Sequence, residues 1–287
     1  MCVRERTERP PCHQRARNDF TDFRDELRAF AHGAPRALNP GYAPSEKSTV
    51  PAPVFHALVF WLPAFLFSTT VHEAAHAWVA WRLGDPTAYL SGQVSLSPWP
   101  HVRRSPIGML VIPVLTSLTQ GWTMGWASAP YDPAWADRHP RRAALMALAG
   151  PMGNLVIAFA AFCMLRAGLA IGVFEAPHLL GVEHLVSNAL PADRMLLGDF
   201  FAEGLSVLLA LNVLLIVFNL LPFPPLDGAS VLALVLPVKA SRSLRRAIAT
   251  PGLSIMGIVA AWQVFPACAK PILGTLAALL YPGTRSM

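Results

Sequence analysis

An ionisable triplet beside an apolar stretch constrains this chain more than any other feature of its sequence. His72, Glu73 and His76 form a His-Glu-x-x-His pattern that follows the almost wholly apolar run Phe55–Phe67. On a helix, residues four apart share a face, so both imidazoles can reach one metal ion. Glu73 lies beside them, where it can take a proton from a water that the metal activates. The alternative is a chance match on an ordinary helix. Ionisable groups next to so apolar a run are costly unless they serve a function, which favours the metal site.

The composition places the chain among integral membrane proteins. Of its 287 residues 54% are apolar and only 14% are charged, and the mean hydropathy is +0.43. The net charge of +6 comes mainly from Arg next to apolar segments. That pattern suits the cytoplasmic flanks of membrane helices, so no nucleic-acid partner is expected. The four cysteines form no Cys-x-x-Cys pair, which indicates neither a disulfide framework nor a structural zinc knuckle.

Long apolar segments predict an α-helical polytopic membrane protein with about four spanning helices. The four predicted spans are Val54–Leu83 (segment A), Ala143–Val173 (segment C), Gly204–Leu221 (segment D) and about Pro251–Leu280 (segment F). Segment B, from Pro106 to about Leu118, is short and contains Pro113, so it is predicted to be re-entrant. Alternating residues from Ala88 to Ser97 predict a short membrane-associated β-hairpin.

Three zones divide the chain. Residues 1–53 form a polar tail that is expected to be disordered or surface-helical. Residues 54–238 carry the motifs and are predicted to form the core, and residues 239–287 a basic loop and a C-terminal transmembrane helix. Small residues in segment C, including Gly150 and Gly153, predict close packing against another helix.

A catalytic zinc needs a third protein ligand besides two histidines. No Glu occurs between Glu73 and Glu175, which excludes the arrangement of soluble zinc peptidases that have a ligand Glu a few turns downstream. His101 is one candidate. Asp227 is the better one, because three prolines just before it interrupt the helix and can turn its carboxylate inward. The competing interpretation is an ordinary turn at a membrane surface.

Five linked motifs resemble the site-2 proteases, the intramembrane zinc metalloproteases, in their compact bacterial form without a PDZ domain. They are Val71-His-Glu-Ala-Ala-His76, Gly92-Gln-Val-Ser-Leu-Ser-Pro98 with His101, Gly125-Trp-Ala-Ser-Ala-Pro130, Ala149-Gly-Pro-Met-Gly-Asn154 and Asn219-Leu-Leu-Pro-Phe-Pro-Pro-Leu-Asp-Gly228. The resemblance covers residues 54 to about 238. It departs at Ser105, where an Asp is common in the family.

The resemblance implies one zinc ion per chain, with His72, His76 and Asp227 as its ligands. Glu73 would be the catalytic base, and Asn154 would hold the substrate or polarise its carbonyl. For Asn154 an interhelical hydrogen bond is an equally open interpretation.

The implied function is hydrolysis of peptide bonds within or next to transmembrane segments of membrane proteins, as in regulated intramembrane proteolysis. The expected partners are a transmembrane protein substrate and the lipid bilayer, and the expected location is the plasma membrane. One alternative is a catalytically silent metal-binding protein that sequesters helices, although Glu73 argues against it. A zinc transporter is the other, although segments C and F are nearly bare of polar residues.

One metal site also constrains the topology. His72 and His76 lie in the later half of segment A and Asp227 just past segment D, so A and D must run in the same direction. The parallel direction of A and D requires segment B to be re-entrant. A re-entrant segment B also places the basic loops on one side of the membrane and the acidic residues 174–203 on the other, as the positive-inside rule prefers. The zinc site is then expected nearer the cytoplasmic face.

Overall fold

The computed structural model describes residues 52–248 and 250–282, so the prediction for the tail lies outside the described residues except at its last two positions. Ten helices are numbered here in chain order. Helix α1 comprises Ala52–His56, the π-helical turn Ala57–Trp61 and Leu62–Arg82. The others are α2 (Thr87–Leu90), α3 (Pro98–Arg104), α4 (Ile107–Gln120, beginning with the π-helical turn Ile107–Val111), α5 (Pro133–Arg138), α6 (Pro140–Ala170), α7 (Met195–Asn219), α8 (Asp227–Val231), α9 (Val238–Ile248) and α10 (Pro251–Leu280). Two-residue strands β1 (Phe174–Glu175) and β2 (Ser187–Asn188) pair in antiparallel fashion, and Ala192–Arg194 and Leu232–Leu234 are 3₁₀ turns.

Four helices (α1, α6, α7 and α10) are long and apolar enough to cross a membrane, as the hydropathy of segments A, C, D and F predicts. Their shared core contains Trp61 of α1, Leu165 of α6, Leu209 of α7 and Phe265 of α10, all buried. Helix α6 approaches α1 closely where it has no side chain to interpose: a Cβ at Gly153 would lie 3.3 Å from the Cβ of Ala75. The predicted close packing of the small residues is therefore confirmed.

Segment B is re-entrant, as predicted. Helix α4 ends at Gln120, and a Cβ on the following Gly121 would lie 3.1 Å from Pro53 at the start of α1. The extended chain after it turns back, and the Trp126 amide donates to the Gly108 carbonyl at 3.0 Å. The Asp132 amide then reaches Oδ2 of Asp85, just past the end of α1, at 2.7 Å. Segment B thus returns to the end of α1 from which it came.

The structure corrects the position of the predicted hairpin. Residues 88–97 contain no strand. Residues 88–90 belong to the single turn of α2, which begins at Thr87, and the Asp85 carboxylate accepts hydrogen bonds from the amide and hydroxyl of Thr87. Gly92 follows with φ +71°, which turns the chain away from an extended path. The helical turn of α2 and the turn at Gly92 therefore replace the extended path that the alternation of polar and apolar residues predicts. The two-stranded sheet lies in the 174–203 region, where α7 also begins nine residues earlier than segment D was predicted to begin.

Charged loops occupy opposite ends of the bundle. At the end near Asp85, α9 packs on α5, and Arg245 Nε lies 3.0 Å from Asp137 Oδ1. At the other end, His56 near the start of α1 lies 3.3 Å from Glu203 and 3.6 Å from Glu183. The basic and acidic loops are separated as the charge pattern predicts.

Candidate metal centre

Three ligand atoms converge between α1 and the start of α8. The Nε2 atoms of His72 and His76 are 3.0 Å apart, and Oδ2 of Asp227 lies 3.1 Å from the first and 3.3 Å from the second. Among residues 52–248 and 250–282, this is the one group of His, Cys, Asp and Glu side chains whose ligand atoms gather closely enough to hold a metal ion. The structure therefore brings together the three residues predicted to be ligands.

Helix α6 supplies a hydrogen-bond partner to the Nδ1 atom of each histidine. His72 Nδ1 lies 2.6 Å from Asn154 Oδ1, and His76 Nδ1 lies 2.7 Å from the carbonyl of Met146. Because both partners are acceptors, each Nδ1 carries the proton and donates it. This tautomer leaves the Nε2 lone pairs directed at Asp227, where a metal would need them. Pro151 lies between Met146 and Asn154 and lacks the N–H that would bond to the carbonyl four residues earlier, so α6 continues through this level with one backbone hydrogen bond fewer.

Asp227 enters the site through a compact turn. Helix α7 ends at Asn219, and the chain folds back so tightly that a Cβ at Gly228 would overlap the backbone of Leu220. Helix α8 then begins at Asp227 itself. Oδ2 of Asp227 faces the Nε2 atoms of both histidines, so its carboxyl group is placed to share a metal ion with them.

The donor set fits zinc. Two imidazole nitrogens and one carboxylate oxygen are a common catalytic zinc set, and tetrahedral ligands with bonds near 2.0–2.1 Å are separated by about 3.3 Å. The measured separations of 3.0–3.3 Å agree with that value. Space for the ion comes from Gly150, because a Cβ there would overlap His76 Nε2 and lie 2.5 Å from His72 Nε2.

Gly150→Ala is expected to remove zinc from the purified protein and to abolish any activity that needs it. The added methyl group occupies the point where the ligand atoms converge, whereas α6 itself tolerates Ala well. Elemental analysis of the purified variant measures this effect. Gly153→Ala is the matched control, because its methyl group would meet only Ala75 and Val71 at 3.3–3.4 Å. A zinc-replete Gly150→Ala protein would contradict the proposed position of the ion.

The structure also locates the other residues singled out from the sequence. Glu73 is buried in the same turn of α1, with 5% of its surface exposed, and it is not one of the three converging ligands. His101 is buried elsewhere, with Nε2 2.9 Å from the carbonyl of Ser95, so the structure does not join it to the site.

Asn154 is fully buried behind His72. Its Nδ2 group donates to the Ser68 carbonyl at 3.2 Å and to Oδ1 of Asn212 at 2.8 Å, while its Oδ1 accepts from His72. These three partners use both donors of its amide group and one of the two lone pairs of Oδ1. The interhelical hydrogen bond is therefore present, and the role of Asn154 toward a substrate stays a prediction.

Sequence reasoning missed Asn212 and Ser68. Asn212 Nδ2 donates to Ser68 Oγ at 2.8 Å, which links α7 to α1 behind the metal centre. Both side chains are fully buried. The available signal was a lone Asn in the middle of the very apolar α7, since polar residues inside membrane spans usually bind a partner.

Comparisons with known proteins agree with this geometry. The model of the family described as Peptidase family M50 matches residues 60–261, a range that contains the whole centre. A Bacillus subtilis (strain 168) protein named "Putative zinc metalloprotease YwhC" is 34% identical over 173 residues, covering 60% of this chain and 67% of that protein. A Mycolicibacterium smegmatis protein named "Putative zinc metalloprotease Rip2" is 28% identical over 183 residues, covering 64% of this chain and 60% of that protein.

The match spans about two thirds of the length of YwhC and less of Rip2. No solved structure matches the chain. The family model, however, covers well over half of the 287 residues. The chain therefore belongs to peptidase family M50, and the zinc metalloprotease family predicted from its motifs is confirmed.

Proposed function

We propose that this multi-pass membrane protein is an intramembrane zinc metalloprotease that hydrolyses peptide bonds within or next to transmembrane segments of other membrane proteins. One observation carries the proposal. The three converging ligand atoms and buried Glu73 lie on and beside α1, a helix that is long and apolar enough to cross a membrane. A peptidase centre placed there is best situated to act on bonds at membrane depth.

In the proposed reaction, the zinc ion and the side chains of the protein have different roles. Zinc, when bound, acts as a Lewis acid on water and on the scissile carbonyl. Glu73 adjoins the ligand His72 in sequence and is buried, so it is placed to accept a proton from the attacking water and pass it to the leaving amine. Asn154 and the Met146 carbonyl hold the two imidazoles in the tautomer that ligation requires. Asp227 supplies the third ligand and a negative charge.

A helical substrate hides its carbonyls in its own hydrogen bonds, and it must unwind to be cut. Unpaired backbone groups in lipid cost several kcal/mol each, so the enzyme should offer replacement partners. The extended residues 122–131 run back along α1, with Gly125 packed against Phe65, two turns before His72. We propose that this stretch pairs with the unwound substrate as an added strand.

Substrate trapping tests the proposed substrate class. Full-length Glu73→Gln protein is expected to retain intact membrane proteins that the wild type releases as fragments. Mass spectrometry of the fragments then locates the cut bond. New termini inside or at the edge of a transmembrane segment support the proposal. Termini confined to soluble domains far from the membrane would contradict it.

Asn154→Ala is expected to weaken zinc binding by about 10- to 100-fold, because His72 loses the acceptor that fixes its tautomer. Turnover measured against zinc concentration should recover at high zinc. If Asn154 instead donates a hydrogen bond to the oxyanion, the Asn154→Ala variant should turn over roughly 10²-fold more slowly even at saturating zinc. The zinc titration distinguishes the two.

We further propose that the protein lies in the plasma membrane with the metal centre nearer the cytoplasmic face. The support is the end of the bundle near Asp85, which carries Arg103, Arg104, Arg138, Arg141 and Arg142 as well as basic α9.

Cysteine labelling in intact cells tests this orientation. With the four native cysteines replaced by Ser, Ser128→Cys should be labelled only after the cells are opened, and Ser187→Cys should react from outside. Labelling of both from the same side would contradict the topology, and the reverse pattern would contradict the orientation.

A further inference from the structure

A basic helix lies at the edge of the bundle, apart from the metal centre. In α9 the exposed residues Lys239, Arg242 and Arg246 follow the spacing i, i+3 and i+7, so they share one face. The opposite side turns Ser241, Leu244 and Ile248 toward the protein. The helix therefore packs its less polar side on the protein and leaves its basic face accessible.

The basic face of α9 meets α5 around a cavity of about 290 Å³. Its lining consists of Asp137, Arg138, Arg242 and Arg246. Asp137, the one acid among them, already has two partners. Arg245, which does not line the cavity, lies 3.0 Å from the Asp137 carboxylate, and Arg242 Nε donates to the Asp137 backbone carbonyl at 3.2 Å. Arg138 also lies 3.5 Å from Asp132, but both side chains are largely exposed and such a pair is weak.

This arrangement leaves an excess of positive charge facing one space. Three Arg against one paired Asp line the cavity, and Arg242 and Arg246 are four residues apart on one helix, where like charges repel. An anion between them would remove that repulsion. Guanidinium groups bind phosphate oxygens in a bidentate manner, so the chemistry favours phosphate over a simple halide.

The cavity also lies beside the ends of two helices that are long and apolar enough to cross a membrane. Helix α6 enters its span at Pro140, two residues after Arg138, and α10 begins at Pro251, shortly after α9. Exposed aromatic side chains surround this end, including Trp81 and Trp99, and Arg245 lies 5.8 Å from the ring centre of Tyr131. Aromatic residues of this kind mark the headgroup region of a bilayer.

We propose that the cavity between α5 and α9 binds the phosphate of an anionic phospholipid headgroup. Charge complementarity and the position at the membrane surface select this occupant over a soluble phosphate compound. The proposal does not depend on the protease chemistry, because none of the lining residues belongs to the metal centre.

Thermal unfolding of the full-length protein in a neutral detergent tests the site. The probes are dioctanoyl phosphatidylglycerol, dioctanoyl phosphatidylcholine and inorganic phosphate, added at one fixed ionic strength. Two double variants are compared. Arg138→Gln with Arg246→Gln removes two lining charges but leaves Arg242 and Arg245 on Asp137. Arg141→Gln with Lys239→Gln removes the same charge from exposed positions outside the cavity.

Phosphatidylglycerol is expected to raise the Tm of the wild type and of the control variant, whereas phosphatidylcholine and inorganic phosphate are not. The lining variant should need roughly 30-fold more phosphatidylglycerol, about fivefold for each basic side chain removed. If the lining variant does not fold, Arg246→Gln alone replaces it, with an expected shift of about fivefold. Equal weakening in both double variants would overturn the proposal, because it would indicate diffuse surface charge. An equal response to inorganic phosphate, or no response to phosphatidylglycerol, would also overturn it.

Discussion

Glu73→Gln is expected to keep its zinc and to lose cleavage by about 10²- to 10⁴-fold. The magnitude is that of removing a general base from a positioned site. Metal binding should persist because Glu73 is not one of the three converging ligand atoms, and glutamine is close to glutamate in size. Elemental analysis and turnover of a labelled membrane substrate, both on the same preparation, measure the two effects.

The Glu73→Gln result separates an enzyme from a protein that only holds metal and sequesters helices. Such a protein needs its ligands but not the base, so its function would survive the substitution. Near-normal cleavage by Glu73→Gln would remove Glu73 from the mechanism. Loss of zinc would instead make Glu73 part of the metal site.

Asp227→Ala is expected to lose both zinc and activity. The substitution removes one of three ligands and leaves the Nε2 atoms of His72 and His76 without their carboxylate partner. The loss of zinc affinity should exceed the roughly 100-fold cost of losing a residue that only orients a ligand. Metal content measured at several zinc concentrations tests this.

Asp132→Ala is a suitable control for Asp227→Ala. It removes an exposed carboxylate at the same end of the bundle, where Asp132 caps α5 and takes no part in the metal centre. Its zinc content should match that of the wild type. A zinc-replete but inactive Asp227→Ala protein would show that Asp227 is not a ligand.

Features that depend on periodicity and length could be predicted from the sequence. The spans of α1, α6, α7 and α10 follow from runs of apolar residues, and the His72–His76 pair follows from helical spacing. The requirement for one metal site then predicted the re-entrant segment B, which the contact between Asp132 and Asp85 bears out. The roles of the ligands and of Glu73 stay predictions, although the structure brings the three ligands together.

Other features depend on tertiary contacts and could not be predicted in this way. One helical turn and a turn at Gly92 replace the hairpin expected at residues 88–97. The helical turn begins where the Asp85 carboxylate binds the amide and hydroxyl of Thr87, a contact that the alternation of residues does not reveal. The space for a metal ion depends on Gly150 facing His76 and His72, which lie 74 and 78 residues earlier in the sequence. The sequence pointed to Asn154 but not to its partner Asn212 on α7. Their contact depends on how α1, α6 and α7 are aligned with one another, which the sequence does not show.

Zinc-dependent cleavage in proteoliposomes tests the central proposal most directly. The full-length protein is reconstituted with a labelled single-span substrate, treated with a chelator, and then resupplied with zinc. The wild type is expected to show cleavage that the chelator abolishes and zinc restores, whereas Glu73→Gln is expected to show no cleavage at any zinc concentration. Cleavage that persists after zinc removal, or that Glu73→Gln retains, would contradict the proposal, as would zinc movement across the membrane without any cleavage.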